Sequence, residues 1–112
     1  MKIQKPWGYE ELIEVNEKYI VKRLMMKAGC RCSLQYHRDK VETIIILGGE
    51  LKLTYGTSLE KLESRMLSYG CSMTLKNGTL HRMEALVNTI YLEASTPELQ
   101  DVVRIEDDYG RA

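Results

Sequence analysis

The chain is predicted to be all-β, a sandwich or barrel of short antiparallel strands. Three observations point there. Short apolar or alternating stretches follow one another with few residues between them. Gly48-Gly49, Gly56, Gly70 and Asn77-Gly78 mark the intervening turns. Leu51-Lys52-Leu53-Thr54-Tyr55 alternates apolar and polar side chains, as a half-solvated antiparallel strand does.

Residues 7–15 read as the first strand, closed by the turn Val15-Asn16-Glu17-Lys18. Residues 19–27 form the second, with Ile20, Leu24 and Met26 on one side and Tyr19, Val21 and Met25 on the other. Apolar side chains on both faces imply burial inside a sandwich or against a partner. Lys22 and Arg23 alternate on this strand, so one of them points inward, where a cation is costly unless it is paired or used. Further strands are expected at 32–37, 42–47, 51–55, 60–67, 73–75, 81–86 and 89–94. Residues 59–67 also place Leu59, Leu62 and Met66 at helical spacing behind Ser58 as a cap, which leaves a helix open there. Residues 95–103, with Pro97 and Glu98-Leu99, suggest a helical turn before the hydrophilic tail 104–112. Val102, Val103, Ile105 and Tyr109 make that tail an edge segment, folded back on the body or over a partner subunit.

At 112 residues the chain has room for one core, so 1–112 is read as a single domain with 95–112 as its tail. Sixteen basic and sixteen acidic residues cancel, which argues against a nucleic-acid footprint or a polybasic membrane patch. The longest wholly apolar run, Ile44-Ile45-Ile46-Leu47, is far too short to span a bilayer. Met1-Lys2-Ile3-Gln4-Lys5 lacks the apolar stretch of a signal peptide, so a cytoplasmic location is expected. Cys30, Cys32 and Cys71 are odd in number and fit reduced thiols; Cys30 and Cys32 read as small strand or core residues rather than a soft-metal pair.

The chemistry concentrates in two segments. Gln35 and His37 share a strand face, and Glu42 lies just beyond a turn. His81 is the other of only two histidines. An amide oxygen, two imidazoles and a carboxylate suit a divalent ion such as Zn, Fe, Ni or Co. Histidine in a strand-rich chain is also commonly a hydrogen-bonded structural residue, and spacing alone leaves both readings open.

The two segments resemble the cupin motifs. Gly29, His37, Glu42 and Gly49 fall in register on the first motif, with Gln35 in place of its first histidine. Gly70, Gly78 and His81 match the second, with Lys76 at its proline and Ala85 at its asparagine. Lys76 makes the Asn77-Gly78 turn less rigid than the family's, and Ala85 removes a side chain that would hold the loop. Gln-x-His at this point is the pattern of phosphomannose isomerases. Lys5-Pro6-Trp7-Gly8, Ser33-Leu34-Gln35-Tyr36-His37-Arg38, His81-Arg82 and the closing Asp101 to Arg111 resemble the cupin domain of the type fused to sugar-1-phosphate guanylyltransferases.

The resemblance implies a double-stranded β-helix (cupin, jelly-roll barrel) and turns residues 60–67 into a strand leading to Gly70. It implies a divalent metal at Gln35, His37, Glu42 and His81, zinc foremost, with Fe, Ni, Co or Mn as alternatives. It further implies interconversion of an aldose phosphate and a ketose phosphate, such as mannose 6-phosphate and fructose 6-phosphate. Arg82, Glu84 and Lys22 are the candidate catalytic residues. Arg82 directly follows a ligand and should face away from the metal, either clamping phosphate at the cavity mouth or pairing with Glu42 or Glu84. Arg38 and Lys40, between His37 and Glu42, are expected at the rim as phosphate contacts. Met83 should line the same cavity face as His81, and Tyr36 should pack outside. The competing functions are a non-catalytic cupin that binds a sugar, sugar phosphate or nucleotide sugar, and an iron dioxygenase. A homodimer would cover the apolar second strand and the exposed sheet edges.

Overall fold

The computed structural model describes residues 1–112 and is built almost wholly of strands. They are β1 (Lys2–Lys5), β2 (Gly8–Val15), β3 (Ile20–Met26), β4 (Leu34–Tyr36), β5 (Glu42–Gly48), β6 (Glu50–Gly56), β7 (Leu62–Ser68), β8 (Ser72–Leu75), β9 (Leu80–Ala85), β10 (Thr89–Ser95) and β11 (Val103–Glu106). They form two antiparallel sheets, β1-β2-β3-β10-β5-β8 and β11-β4-β9-β6-β7, facing each other as a jelly-roll barrel. The double-stranded β-helix expected from the sequence is therefore present.

Two local expectations change. Residues 59–67 divide into a 3₁₀ turn at Leu59–Lys61 and strand β7, since Leu62 to Ser68 pair along their whole length with β6. Residues 95–103 form no helix: a single turn at Leu99-Gln100 sits in an otherwise irregular connection into β11, and β11 pairs with β4. The tail thus becomes the edge strand of the five-stranded sheet.

Alternation places the core. On β5, Glu42, Ile44 and Ile46 are buried while Ile45 and Leu47 are exposed. On β6, Leu51 and Leu53 are fully buried against Leu67 of β7 and Met83 and Ala85 of β9. Gly8 enters β2 at a φ of 155°, and a Cβ there would lie 1.9 Å from the Met25 carbonyl oxygen. That close approach lets Trp7 turn into the barrel, where it is 5% exposed. No helix is long and apolar enough to cross a membrane.

A candidate metal centre

His81 stands on β9 in register with Gln35 of β4, so both side chains leave the same face of the sheet, toward the interior. His37 follows β4 by one residue. Its carbonyl accepts from the Gly78 N–H at 2.7 Å, and Asn77 Nδ2 donates to the Arg38 carbonyl at 3.2 Å. The Asn77-Gly78 turn is thereby tied to the histidine loop despite Lys76 replacing proline. Glu42 opens β5 from the opposite sheet.

Each imidazole is oriented by a backbone carbonyl. His37 Nδ1 meets the Asp101 carbonyl oxygen at 2.5 Å and His81 Nδ1 meets the Thr79 carbonyl oxygen at 2.9 Å. A carbonyl only accepts, so both Nδ1 atoms carry protons and both Nε2 lone pairs are freed. His37 Nε2 lies 3.4 Å and His81 Nε2 3.1 Å from the same atom, Glu42 Oε1. All three atoms are buried without a partner of hydrogen-bond geometry. Two lone pairs and an anionic oxygen buried at one spot call for a proton or a cation between them. Donor atoms bonded to one ion at about 2.0–2.1 Å stand about 3.3 Å apart in a tetrahedron, and the observed spacings bracket that value. Carbonyl-anchored imidazoles are the usual outer support of such ligands.

Around this cluster lies a charged chamber. Lys22 Nζ is 3.5 Å from Glu10 and 3.9 Å from Glu93; Lys40 Nζ is 3.6 Å from Glu42 and 4.0 Å from Glu93. Burial works to raise the Glu42 carboxyl, but its neighbours Glu93, His37 and His81 outweigh burial and hold it well below the usual range. Burial and the charge of Glu42 push Glu93 well above that range. Burial also disfavours the Lys40 charge, yet Glu93 and Glu42 more than restore it. A cleft of about 250 Å³ opens onto these groups, roofed by the tail residues Leu99, Gln100, Asp101 and Val102. The Asp101 carboxylate accepts from the backbone N–H groups of Arg38, Asp39 and Lys40 at 2.8–3.0 Å and locks the tail to the histidine loop.

The sequence-level candidates separate cleanly. His37, Glu42 and His81 converge, within 4.8 Å of one another. Gln35 sits on their face, its Oε1 accepting from Ser33 Oγ at 3.0 Å. Lys22 is the inward member of its pair, while Arg23 faces out to Glu11. Met83 lines the cleft. Lys40 is not at the rim: it is 4% exposed and points inward, because its loop is pinned by Asp101 and Gly78. Arg38 is exposed and does not line the cleft.

Arg82 lies on the outer face of β9. It pairs with neither Glu42 nor Glu84; its Nε donates to the Cys32 carbonyl at 2.9 Å and its Nη1 meets Glu106 at 3.3 Å, bracing the tail. Glu84, two residues on, shares that outer face opposite Lys52, and its backbone lies in antiparallel register with that of Arg31, whose side chain pairs with Asp108. Glu10, Glu93 and Tyr91 complete the chamber and were absent from the sequence-level set. Their signal was hidden by β10, whose inward positions are Thr89, Tyr91, Glu93 and Ser95 and whose outward ones are Ile90, Leu92 and Ala94.

The family profile described as mannose-6-phosphate isomerase C-terminal matches residues 1–107. The xanthan biosynthesis protein XanB of Xanthomonas campestris pv. campestris is 30% identical over 98% of this chain and 24% of its own length. Mannose-1-phosphate guanylyltransferase ManC of Salmonella typhimurium is 30% identical over 97% of this chain and 23% of its own. The chain thus spans about a quarter of the length of the curated relatives it matches. Among solved structures, oxalate decarboxylase of Bacillus subtilis superposes with a TM-score of 0.83 at 15% identity, covering 94% of this chain and 30% of that one. The capsular polysaccharide assembling protein CapF of Staphylococcus aureus does so with 0.82 at 13%, covering 95% and 34%. These likenesses at low identity bear on the fold alone, which is the cupin fold. With its profile matched over nearly its whole length, the chain belongs to the mannose-6-phosphate isomerase C-terminal family.

Proposed function

We propose that this chain is a metal-dependent sugar-phosphate isomerase module, interconverting an aldose phosphate and a ketose phosphate such as mannose 6-phosphate and fructose 6-phosphate. The observation that carries the reading is the meeting of two bare Nε2 atoms and Glu42 Oε1 beside a chamber that also holds lysines and a further carboxylate. His37, Glu42 and His81 would hold the ion, with Gln35 as a fourth donor from the same face. Nitrogen and oxygen donors of this kind suit zinc best, with Fe, Ni, Co and Mn as alternatives. When bound, the ion supplies Lewis-acid polarisation of the sugar oxygens.

The rest falls to the chain's own groups. Glu93 faces the cleft between Lys22 and Lys40; once it has given up the proton it shares with Glu42, its carboxylate takes the proton from C2 and returns it to C1, while the O2 hydroxyl proton passes to O1 by way of a lysine ammonium. The two lysines orient that carboxylate and balance negative charge developing on the substrate oxygens. Leu99 and Val102 of the tail put apolar surface on the wall of the chamber. Arg82 and Glu84, on the outer face, take no part in this chemistry.

The test is a coupled assay of mannose 6-phosphate and fructose 6-phosphate interconversion with Zn or Co supplied. Turnover is expected, and Glu93→Gln should slow it by about 10²–10⁴-fold with bound metal retained. A second reading is a non-catalytic cupin that binds a sugar, sugar phosphate or nucleotide sugar. It is favoured by the internal pairing of Lys22, Lys40 and Glu93, which satisfies these groups without substrate. Tight sugar-phosphate binding without turnover on any divalent metal selects it.

A homodimer is part of the proposal. The outer face of β3, β10 and β5 carries Met25, Ile90, Leu92, Ile45 and Leu47 side by side, an apolar sheet surface that a second copy would cover. Sedimentation velocity should give twice the 12.9 kDa chain mass, and a species of that mass alone contradicts it.

A further inference from the structure

We infer that Arg104, seconded by Lys5, is the anion subsite of this cleft and takes the ligand's phosphate at the end away from the histidines. The inference rests on the sugar-phosphate reading above and adds residues to it. Its first ground is the charge balance of the cleft. Lys22 is matched by Glu10 and Glu93, Lys40 by Glu42 and Glu93, and Arg111 by a two-point pair with Asp107 at 2.9 and 3.0 Å. Asp101 is committed to three backbone N–H groups. Of the cations lining the cleft, Lys5 and Arg104 have no carboxylate oxygen within 4.0 Å; Asp107 feels the charge of Arg104 but is paired with Arg111. Arg104 Nε is moreover buried with no acceptor at all, a state that a ligand oxygen would relieve.

The second ground is register. Arg104 pairs with Gln35 across β11 and β4, and Gln35 pairs with His81 across β4 and β9. The three side chains therefore form one inward row, with arginine and histidine two strand spacings, about 9.6 Å, apart at the backbone. A short polyhydroxyl chain with its carbonyl end at the histidines, its hydroxyls over Gln35 and a terminal phosphate under the guanidinium fits that row. Guanidinium offers the planar, two-point donor pair that phosphate oxygens match. Selection for a phosphorylated sugar over the free sugar is then a property of the tail strand.

Calorimetric titration with mannose 6-phosphate, mannose and inorganic phosphate tests this, with emission from the cleft-lining Trp7 as a second readout. Arg104→Gln should weaken mannose 6-phosphate binding by about 10- to 100-fold while leaving metal content and affinity for free mannose unchanged. Arg104→Lys should recover part of the loss, which a merely structural role would not produce. Wild-type affinity for mannose 6-phosphate in both Arg104→Gln and Lys5→Gln overturns the subsite and spares the sugar-phosphate reading. Arg104-dependent binding of inorganic phosphate without any sugar-phosphate binding keeps the subsite and sinks that reading. A wild-type chain that binds neither sinks both.

Discussion

Within each of three strands the inward residues change character over two positions. Lys22 gives way to Leu24 and Met26 on β3, Glu42 to Ile44 and Ile46 on β5, and His81 to Met83 and Ala85 on β9. One end of the barrel interior is thus a dry apolar plug and the other a buried network of charges, built on the same strands with the same alternation. The plug stabilises the fold, at about 1.5–3 kcal/mol for each large side chain buried. The charged end must offset the desolvation of every ion it holds, and apolar replacement of such networks is often neutral or stabilising. Groups that costly are what the proposed chemistry would account for.

The largest expected effect lies at the plug. Leu53→Ala should cost about 2–5 kcal/mol in urea unfolding while bound metal per folded chain stays the same. A loss of metal with unchanged stability would erase the distinction between the two ends.

A smaller effect separates the thiols. Burial pushes the Cys32 thiol up to about 11, whereas Cys30 and Cys71 are only partly buried. Native alkylation should modify Cys32 at least about tenfold more slowly than the other two. Equal rates would mean that the wall between cleft and core opens readily.

The smallest effect concerns the roof of the charged end. Three backbone N–H groups, from Asp39, Arg38 and Lys40, hold the Asp101 carboxyl down at about 2, against an ordinary 3.8. A depressed carboxyl contributes fully above its ordinary value and loses that contribution as pH falls through its folded one. Amide exchange should therefore show Arg38, Asp39 and Lys40 losing protection from about pH 4 down to about pH 2, while Leu51 and Leu53 keep theirs. Protection that persists at all three would show that the tail is held by something other than Asp101.

Much of the convergence at the candidate site was legible because strand alternation and motif spacing decide which side chains share a face. Gln35, His37 and His81 declare their shared face through strand alternation and motif register, and Glu42 through its place after the loop. The strand rule also said that Arg82 should face away, as it does; what it could not give was the partner, since Glu106 lies on a tail whose return path is set by tertiary pairing with β4. Lys40 was misread as a rim residue because loop residues default to solvent, and the capping of that loop by Asp101 comes from 61 positions away. Glu93 was invisible for a different reason. On β10 the apolar residues Ile90 and Leu92 face out and the polar ones face in, so the usual reading of an amphipathic strand points the wrong way. The tail as edge strand was readable from Val103 and Ile105, but not the placement of Arg104 over the cleft.

The central claim is that His37, Glu42 and His81 exist to hold a divalent cation. Elemental analysis of the purified protein tests it most directly, read beside circular dichroism to confirm folding. One equivalent of divalent metal per chain is expected in the wild type, with near-complete loss in folded His37→Ala and His81→Ala. Full occupancy in both variants, or a folded wild type that takes up no divalent metal from excess, would contradict it.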